Sequence, residues 1–521
     1  MKAYAPLGNF TRILEKTRSA LDQGQQVPDP FDQTALSPDL DYYRSLVADG
    51  RRLLPTRYHS DYLDVLDFAV RQAASDLERG GPARKAAIMR QLQSVFSTLA
   101  APLVQLADPR WSRRLRAYQA VISNFYRRFL DDRHIRYQMT RVARWPELDP
   151  LGYFLNSGSG PFTLAPSREL PLAFVAKPAS YACFAPLFFI EAHEVGGHVF
   201  HSAVAGLEDE IEGRLGKRLS ERFSAGDLVF SRKTVRVPKR PGLLFRRDHK
   251  YVQNTVFVSH VWQKWLPELL SDLAGVLNLG PAYVNGLIAF LTAIEPTLSL
   301  RTASRFDLDQ GFSSHPPSLV RARFCLSVVS RLDFPDLAVW KESLDRRIGL
   351  AAGNAPADLV WHDGDGNRAV SFKLDEMLQV LEDVVDTVLD TAVAALGDRS
   401  LASIMTWGKS DELTARQLAD ALLEGNVHID EPLEARHVVA ASILALEIAS
   451  AKDGSRADFE KSSDAVHGNA LELLSALYTE QCLLCEVPAF QGTRRHDLNL
   501  SELARLVQRL REDSARFSTT F

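Results

Sequence analysis

The chain has 521 residues, enough for about three domains or for one large core with additions. Apolar residues make up 46% and charged residues 24%, proportions that exclude wholesale disorder, a collagen-like repeat and a coiled-coil fibre. With 61 lysines and arginines against 65 acids the net charge is −4, so overall charge draws the chain neither to nucleic acid nor to an anionic membrane.

Four cysteines cannot staple a chain of this length. The opening MKAYAPLGNFTRIL lacks the basic-then-apolar pattern of a secretory signal, and a cytoplasmic location is expected. The first 150 residues read as helices over Leu40–Leu54, His59–Arg79, Ala83–Leu106 and Ser112–Arg144, where apolar residues recur three and four apart. From Leu151 the character changes to short apolar runs among Gly, Ser and Pro, which predict strands or ordered loop. A boundary is placed there, giving a helical region 1–150, a central block 151–335 and a C-terminal helical region 336–521.

In the central block the spacing predicts a buried helix over Tyr181–Val204, then helices over Thr255–Leu277, Ala282–Ile294 and Pro316–Leu332. The basic, proline-containing stretch Ser231–Lys250 reads as a loop or exposed hairpin. Ala274–Ile294 is free of charge and of spanning length, but Asn278, Gly280, Pro281, Asn285 and Gly286 argue against a membrane span. In the last block Asp358–Phe372 predicts a hairpin. Helices are expected over Leu374–Leu396, Thr414–Leu423, Pro432–Ala451, Ala465–Leu484 and Leu498–Phe517. The fold class expected is mainly α with minor β.

The sharpest chemical signal is EAHEVGGHVFH, Glu191–His201. A helical His-Glu-x-x-His places two imidazoles one turn apart, with the Glu positioned to take a proton from a zinc-activated water. Here His193 and His198 are five apart, which at ~100° per residue turns their side chains roughly 140° from each other on a regular helix. A π-bulge absorbs the extra residue, and Gly196 with Gly197 offers it least steric resistance. The competing reading is a set of structural histidines on an apolar helix. Three histidines and two acids in eleven residues of an apolar segment need partners or a metal to be buried, which favours the metal.

Two further elements join this motif. Glu268 and Asp272, four apart in WLPELLSDLAG, share one helical face, so one can bind the ion while the other holds a ligand histidine. Alone, the pair would read as solvated helix surface. His315 precedes Pro316 and Pro317, with Arg321 one turn into the predicted helix; alone this is a loop and a helix start. Beside a metal, His315 or Tyr283 could stabilise an oxyanion.

HEVGGH resembles the His-Glu-x-x-Gly-His motif of the dipeptidyl peptidase III family of zinc exopeptidases. Glu268-x-x-x-Asp272 with His315-Pro-Pro and Arg321 resembles elements of gluzincin proteases related to the heat-shock and CAAX-processing membrane metallopeptidases. The likeness covers about residues 180–330. It implies His193, His198 and Glu268 as zinc ligands, Glu194 as general base, Asp272 as their outer support, and His315 with Arg321 as active-site supports. It departs from both parents: the membrane enzymes have the shorter histidine spacing, and the dipeptidyl peptidases a different third-ligand sequence.

Other signals carry less. Cys482-x-x-Cys485 lacks a second pair, and Cys183 and Cys325 sit in apolar runs. DGDGN from Asp363 has Leu374 where a calcium loop needs Glu, and no phosphate loop is present. The function expected is a soluble zinc metallopeptidase acting on a peptide or protein substrate, with no nucleic-acid partner. The alternatives are a helical interaction protein with a structural or degenerate metal site, and a metal hydrolase or lyase acting on a small molecule.

Overall fold

A computed structural model of the chain describes residues 8–22, 39–135, 148–155, 162–164, 172–238, 249–307, 311–353, 358–363, 365–426, 433–452, 454–482, 500–501, 503–505 and 507–508. The fold is mainly helical, with three small sheets among the described residues. Helices α1 (Phe10–Asp22), α2 (Leu40–Leu53), α3 (Asp64–Arg79), α4 (Pro82–Leu99), α5 (Ala101–Ala107) and α6 (Pro109–Leu130) form the N-terminal part. The helix expected over Ala83–Leu106 breaks at Ala100, where Pro102, at the second position of α5, cannot continue the earlier ladder. The expected helix start at His59 is a π-turn, His59–Leu63, ahead of α3. The helix expected over Ser112–Arg144 begins at Pro109 and ends at Leu130, where a turn at Asp131 interrupts it; residues 136–144 lie outside the described residues.

Strands β1 (Leu151–Leu155), β2 (Phe162–Leu164) and β3 (Phe174–Pro178) form a sheet in the order β1-β3-β2, with β1 parallel and β2 antiparallel to β3. The free edge of β1 is satisfied by two glutamine side chains. Gln105 accepts from the Phe154 N–H at 2.9 Å and donates to the Phe154 carbonyl at 2.6 Å, and Gln119 bridges the Pro150 carbonyl and the Gly152 N–H. Alternation then divides the faces. Leu151, Tyr153, Phe174 and Ala176 pack in a core with α2–α4, while Phe154 and Val175 join the main core. Lys177 follows Val175 by two residues and so points toward the main core.

The apolar segment expected as one helix over Tyr181–Val204 begins instead as two 3-10 turns, Ala179–Cys183 and Ala185–Phe189. Helix α7 follows as Ile190–His193, a π segment Glu194–Val199, and Phe200–Ala203. Next come α8 (Leu207–Ala225), the hairpin β4 (Thr234–Pro238) and β5 (His249–Gln253), α9 (Asn254–Leu279) and α10 (Pro281–Ile294). Gly280, at φ 57°, separates α9 from α10 in the middle of the charge-free stretch. Among the described residues no helix is long and apolar enough to cross a membrane.

Strands β6 (Ala303–Asp307) and β7 (Gly311–Phe312) lead to α11 (Ser318–Val329) and α12 (Leu337–Ala352). The hairpin expected at Asp358–Phe372 is β8 (Asp358–His362) with β9 (Arg368–Lys373), added to the third sheet in the order β7-β6-β8-β9. The helix expected over Leu374–Leu396 is two, α13 (Leu374–Leu378) and α14 (Leu381–Leu389), followed by a 3-10 turn at Ala394–Leu396. Short α15 (Leu401–Ile404) precedes α16 (Lys409–Glu424), α17 (Ala435–Lys452) and α18 (Arg456–Cys482). Cys485 and most of Leu498–Phe517 lie outside the described residues. The main core gathers Tyr118 and Phe125 of α6, Val195 of α7, Trp262 and Leu269 of α9, and Leu418, Val438 and Leu474 of the last helices. The motif helix and α9 therefore meet at the centre of the molecule.

Candidate metal centre

The π segment of α7 performs the rotation that the five-residue spacing requires. The rings of His193 and His198 come to 4.8 Å between centroids, nearly perpendicular at 85°. The two glycines serve the bulge unequally. A Cβ on Gly197 would fall 2.4 Å from Ser271 Cα, whereas on Gly196 the nearest atom would be Asn278 Nδ2 at 3.1 Å. Gly197 is thus where the backbone of α7 presses against α9, and that contact delivers Glu268 to the histidines.

One donor atom from each of His193, His198 and Glu268 lies within 4.8 Å of the other two, a group that could hold a metal ion. His193 Nε2 is 3.5 Å from Glu268 Oε2, and His198 Nε2 is 3.4 Å from Glu268 Oε1. His193 and Glu268 are buried and His198 is half-buried. Two imidazole nitrogens and a carboxylate oxygen form a donor set that suits zinc and other borderline divalent ions.

Asp272, one turn beyond Glu268, is fully buried behind His193. Its Oδ1 accepts from His193 Nδ1 at 2.9 Å, from the Tyr283 hydroxyl at 2.7 Å and from Arg321 Nη2 at 2.7 Å; its Oδ2 accepts from Arg321 Nε at 2.8 Å. Burial alone would raise the Asp272 pKa, but the Arg321 guanidinium and the His193 hydrogen bond outweigh it and hold the group at about 2. The same contacts act on His193. Burial disfavours its charged form, yet hydrogen bonds to Asp272 and Glu268 raise it to about 9. A metal at Nε2 would displace that proton while Asp272 kept Nδ1–H in place.

Tyr283 is fully buried and its hydroxyl is committed to Asp272. This corrects the expected oxyanion role for Tyr283: it has no free proton to offer and supports Asp272 instead. Its ring fills the space beside Gly275, where a Cβ would meet it at 2.3 Å. His315 stands at the edge of the donor group, its Nε2 3.3 Å from Glu268 Oε1. Pro316 and Pro317 hand the chain from β7 into α11, which brings Arg321 against Asp272.

Glu194 has two partners that sequence reasoning missed. Lys177 of β3, 1% exposed, donates to Oε1 at 2.7 Å, and Thr163 of β2 donates to Oε2 at 2.6 Å. Burial would raise the Glu194 pKa, but the Lys177 ammonium and the nearby histidines outweigh it and hold it at about 2. Glu191, one turn earlier, is 3.9 Å from the same ammonium and is pushed up to about 7 by burial. The only sequence sign of this arrangement is a lysine inside the apolar run AFVAKP, where strand alternation turns it inward.

His201 does not join the donor group. Its Nδ1 is 2.5 Å from Glu208 Oε1 and its Nε2 3.0 Å from Ser271 Oγ. Of the cysteines that carried no role, Cys325 is buried and Cys183 half-buried, and neither is in a disulfide. In the DGDGN turn Asp363 Oδ1 accepts from the backbone N–H groups of Asp365 and Asn367, the behaviour of a turn aspartate. Compared with known proteins, the chain matches no family model, no curated protein and no solved structure.

Proposed function

We propose that the chain is a zinc metallopeptidase of the gluzincin type that hydrolyses peptide bonds. The observation that carries the reading is the convergence of His193, His198 and Glu268, with Glu194 beside the first ligand and Asp272 behind it. When bound, zinc would supply Lewis acidity, polarising a substrate carbonyl and lowering the pKa of water. Glu194, kept ionised by Lys177 and anchored by the Thr163 hydroxyl, is in the state that accepts a proton from the attacking water and passes it to the leaving nitrogen. His315 Nε2, at the rim of the donor group, is the residue placed to donate to the developing oxyanion.

A structural zinc is closed by four protein ligands, whereas a catalytic one keeps a position for substrate. Among the described residues the donor group has three members. His201 is bonded to Glu208 and Ser271, and Glu191 leans toward Lys177, which supports the catalytic reading. A small-molecule hydrolase would use the same residues, and assaying peptide libraries beside simple amides and esters separates the two. The direct test is metal analysis with a Glu194→Gln variant. We expect about one zinc per chain in both proteins, peptide hydrolysis by the parent, and none by the folded variant. Protein of ordinary stability that takes up no zinc would overturn the reading.

A further inference from the structure

A cavity of about 500 Å³ opens where the β4–β5 hairpin, the first turns of α9 and the β6–β7 pair meet. Its wall is aromatic and aliphatic: Phe257, Phe306, Phe312, Val237, Val252 and Val256. Phe257 stands perpendicular to Phe312 with ring centroids 5.3 Å apart, and both pack on Trp361. Lys250 and His260 also line it, and Val256 is 54% exposed at its mouth. The described cations of the hairpin and its approach, Arg232, Lys233, Arg236 and Lys250, are all exposed, in a chain whose net charge is −4. Lys264, one turn from His260 toward Glu268, adds another exposed cation.

The cavity shares its supports with the metal centre. Phe257 lies eleven residues before Glu268 on α9, roughly 17 Å along the axis and within about 20° of the same face. Phe312 of β7 lies three residues before His315. An extended peptide covers that distance in roughly five residues.

We propose that this cavity is a substrate subsite that takes a bulky apolar side chain of an acidic peptide segment, roughly five residues from the bond to be cut. The inference rests on the peptidase reading for its ligand being a peptide, though not on the cleavage chemistry. Apolar walls reward burial of a phenylalanine- or leucine-sized side chain, and the cationic rim favours carboxylates on either side of it.

The test is fluorescence anisotropy on the full chain carrying Glu194→Gln, which spares the probe from hydrolysis. Three labelled ten-residue peptides serve: Phe-Leu flanked by glutamates, the same with lysines for glutamates, and the same with serines for Phe-Leu. We expect the first to bind at least about tenfold tighter than either control. Val256→Asp, at the exposed mouth, should cost about tenfold, and Lys250→Glu should weaken the acidic peptide while improving the lysine one. Equal binding of all three, binding of none, or binding indifferent to both folded variants overturns the proposal. Zinc content of the same samples separates the two readings: peptide discrimination without zinc uptake removes the peptidase and keeps the subsite, and zinc uptake without discrimination does the reverse.

Discussion

Replacing Gly197 with alanine tests the geometry on which the metal centre depends. The added Cβ would sit 2.4 Å from Ser271 Cα, 2.6 Å from its Cβ and 2.8 Å from its Oγ, where carbon contacts rest at roughly 3.5–4.0 Å. A backbone atom cannot rotate away, so α7 and α9 must part by roughly 1 Å. Overpacking of this kind costs about 1–3 kcal/mol, against which alanine recovers about 1 kcal/mol of helix propensity. The larger effect falls on the metal. Ser271 is three residues from Glu268, while ligand distances tolerate only about 0.2 Å. Zinc affinity by chelator competition should drop at least about tenfold, with the urea midpoint lowered. Gly196→Ala meets only the Asn278 side chain, at 3.1 Å, and should stay near the parent in both measurements. A Gly197→Ala protein as stable and as avid for zinc as its parent would refute the argument that this contact sets the donor geometry.

Asp272→Asn keeps the shape behind His193 but removes the charge that Arg321 and the imidazole share; zinc should bind about 10- to 100-fold more weakly in the same competition assay. The pH dependence of urea stability has two windows in the metal-free chain. Glu194 and Asp272, both lowered to about 2, stabilise the fold above their ordinary carboxyl range near pH 4, and that contribution fades as pH falls toward about 2. His193, raised to about 9, contributes fully below about pH 6.5 and progressively less as pH rises through about 9. A flat profile over that second window would contradict the Asp272–His193 geometry. Lys177→Met removes the ammonium from Glu194 and Glu191, and an uncompensated buried charge should cost about 3–5 kcal/mol; stability equal to the parent would show that the ion pair is not buried as described.

How much of this was legible in the sequence depended on whether chemistry imposed a spacing. His193 and His198 stand out because bringing two imidazoles five apart together demands a bulge, and the glycines between them mark the π segment that is found there. Glu268 and Asp272 follow from a one-turn separation, and Arg321 from its turn after the prolines. Lys177 and Thr163 left no such trace. They approach Glu194 from strands 17 and 31 residues upstream, through sheet pairing that no local pattern encodes. Tyr283 was misread because a tyrosine near a metal suggests a free hydroxyl, and only the packing shows Asp272 claiming it. The helix interruptions at Ala100 and after Leu378 were hidden for a related reason: apolar periodicity runs through a break whenever both pieces bury the same side.

The pairing of β2 with β3 has a consequence for the proposed base. β2 is three residues long and its registration sets Thr163 opposite Val175, two positions from the lysine that grips the other carboxylate oxygen. Sliding β2 by one position would turn the Thr163 hydroxyl to the opposite face of the sheet. Glu194 would then keep its ammonium and lose its second anchor. The alignment of one very short ribbon thereby governs how firmly the proton acceptor is aimed.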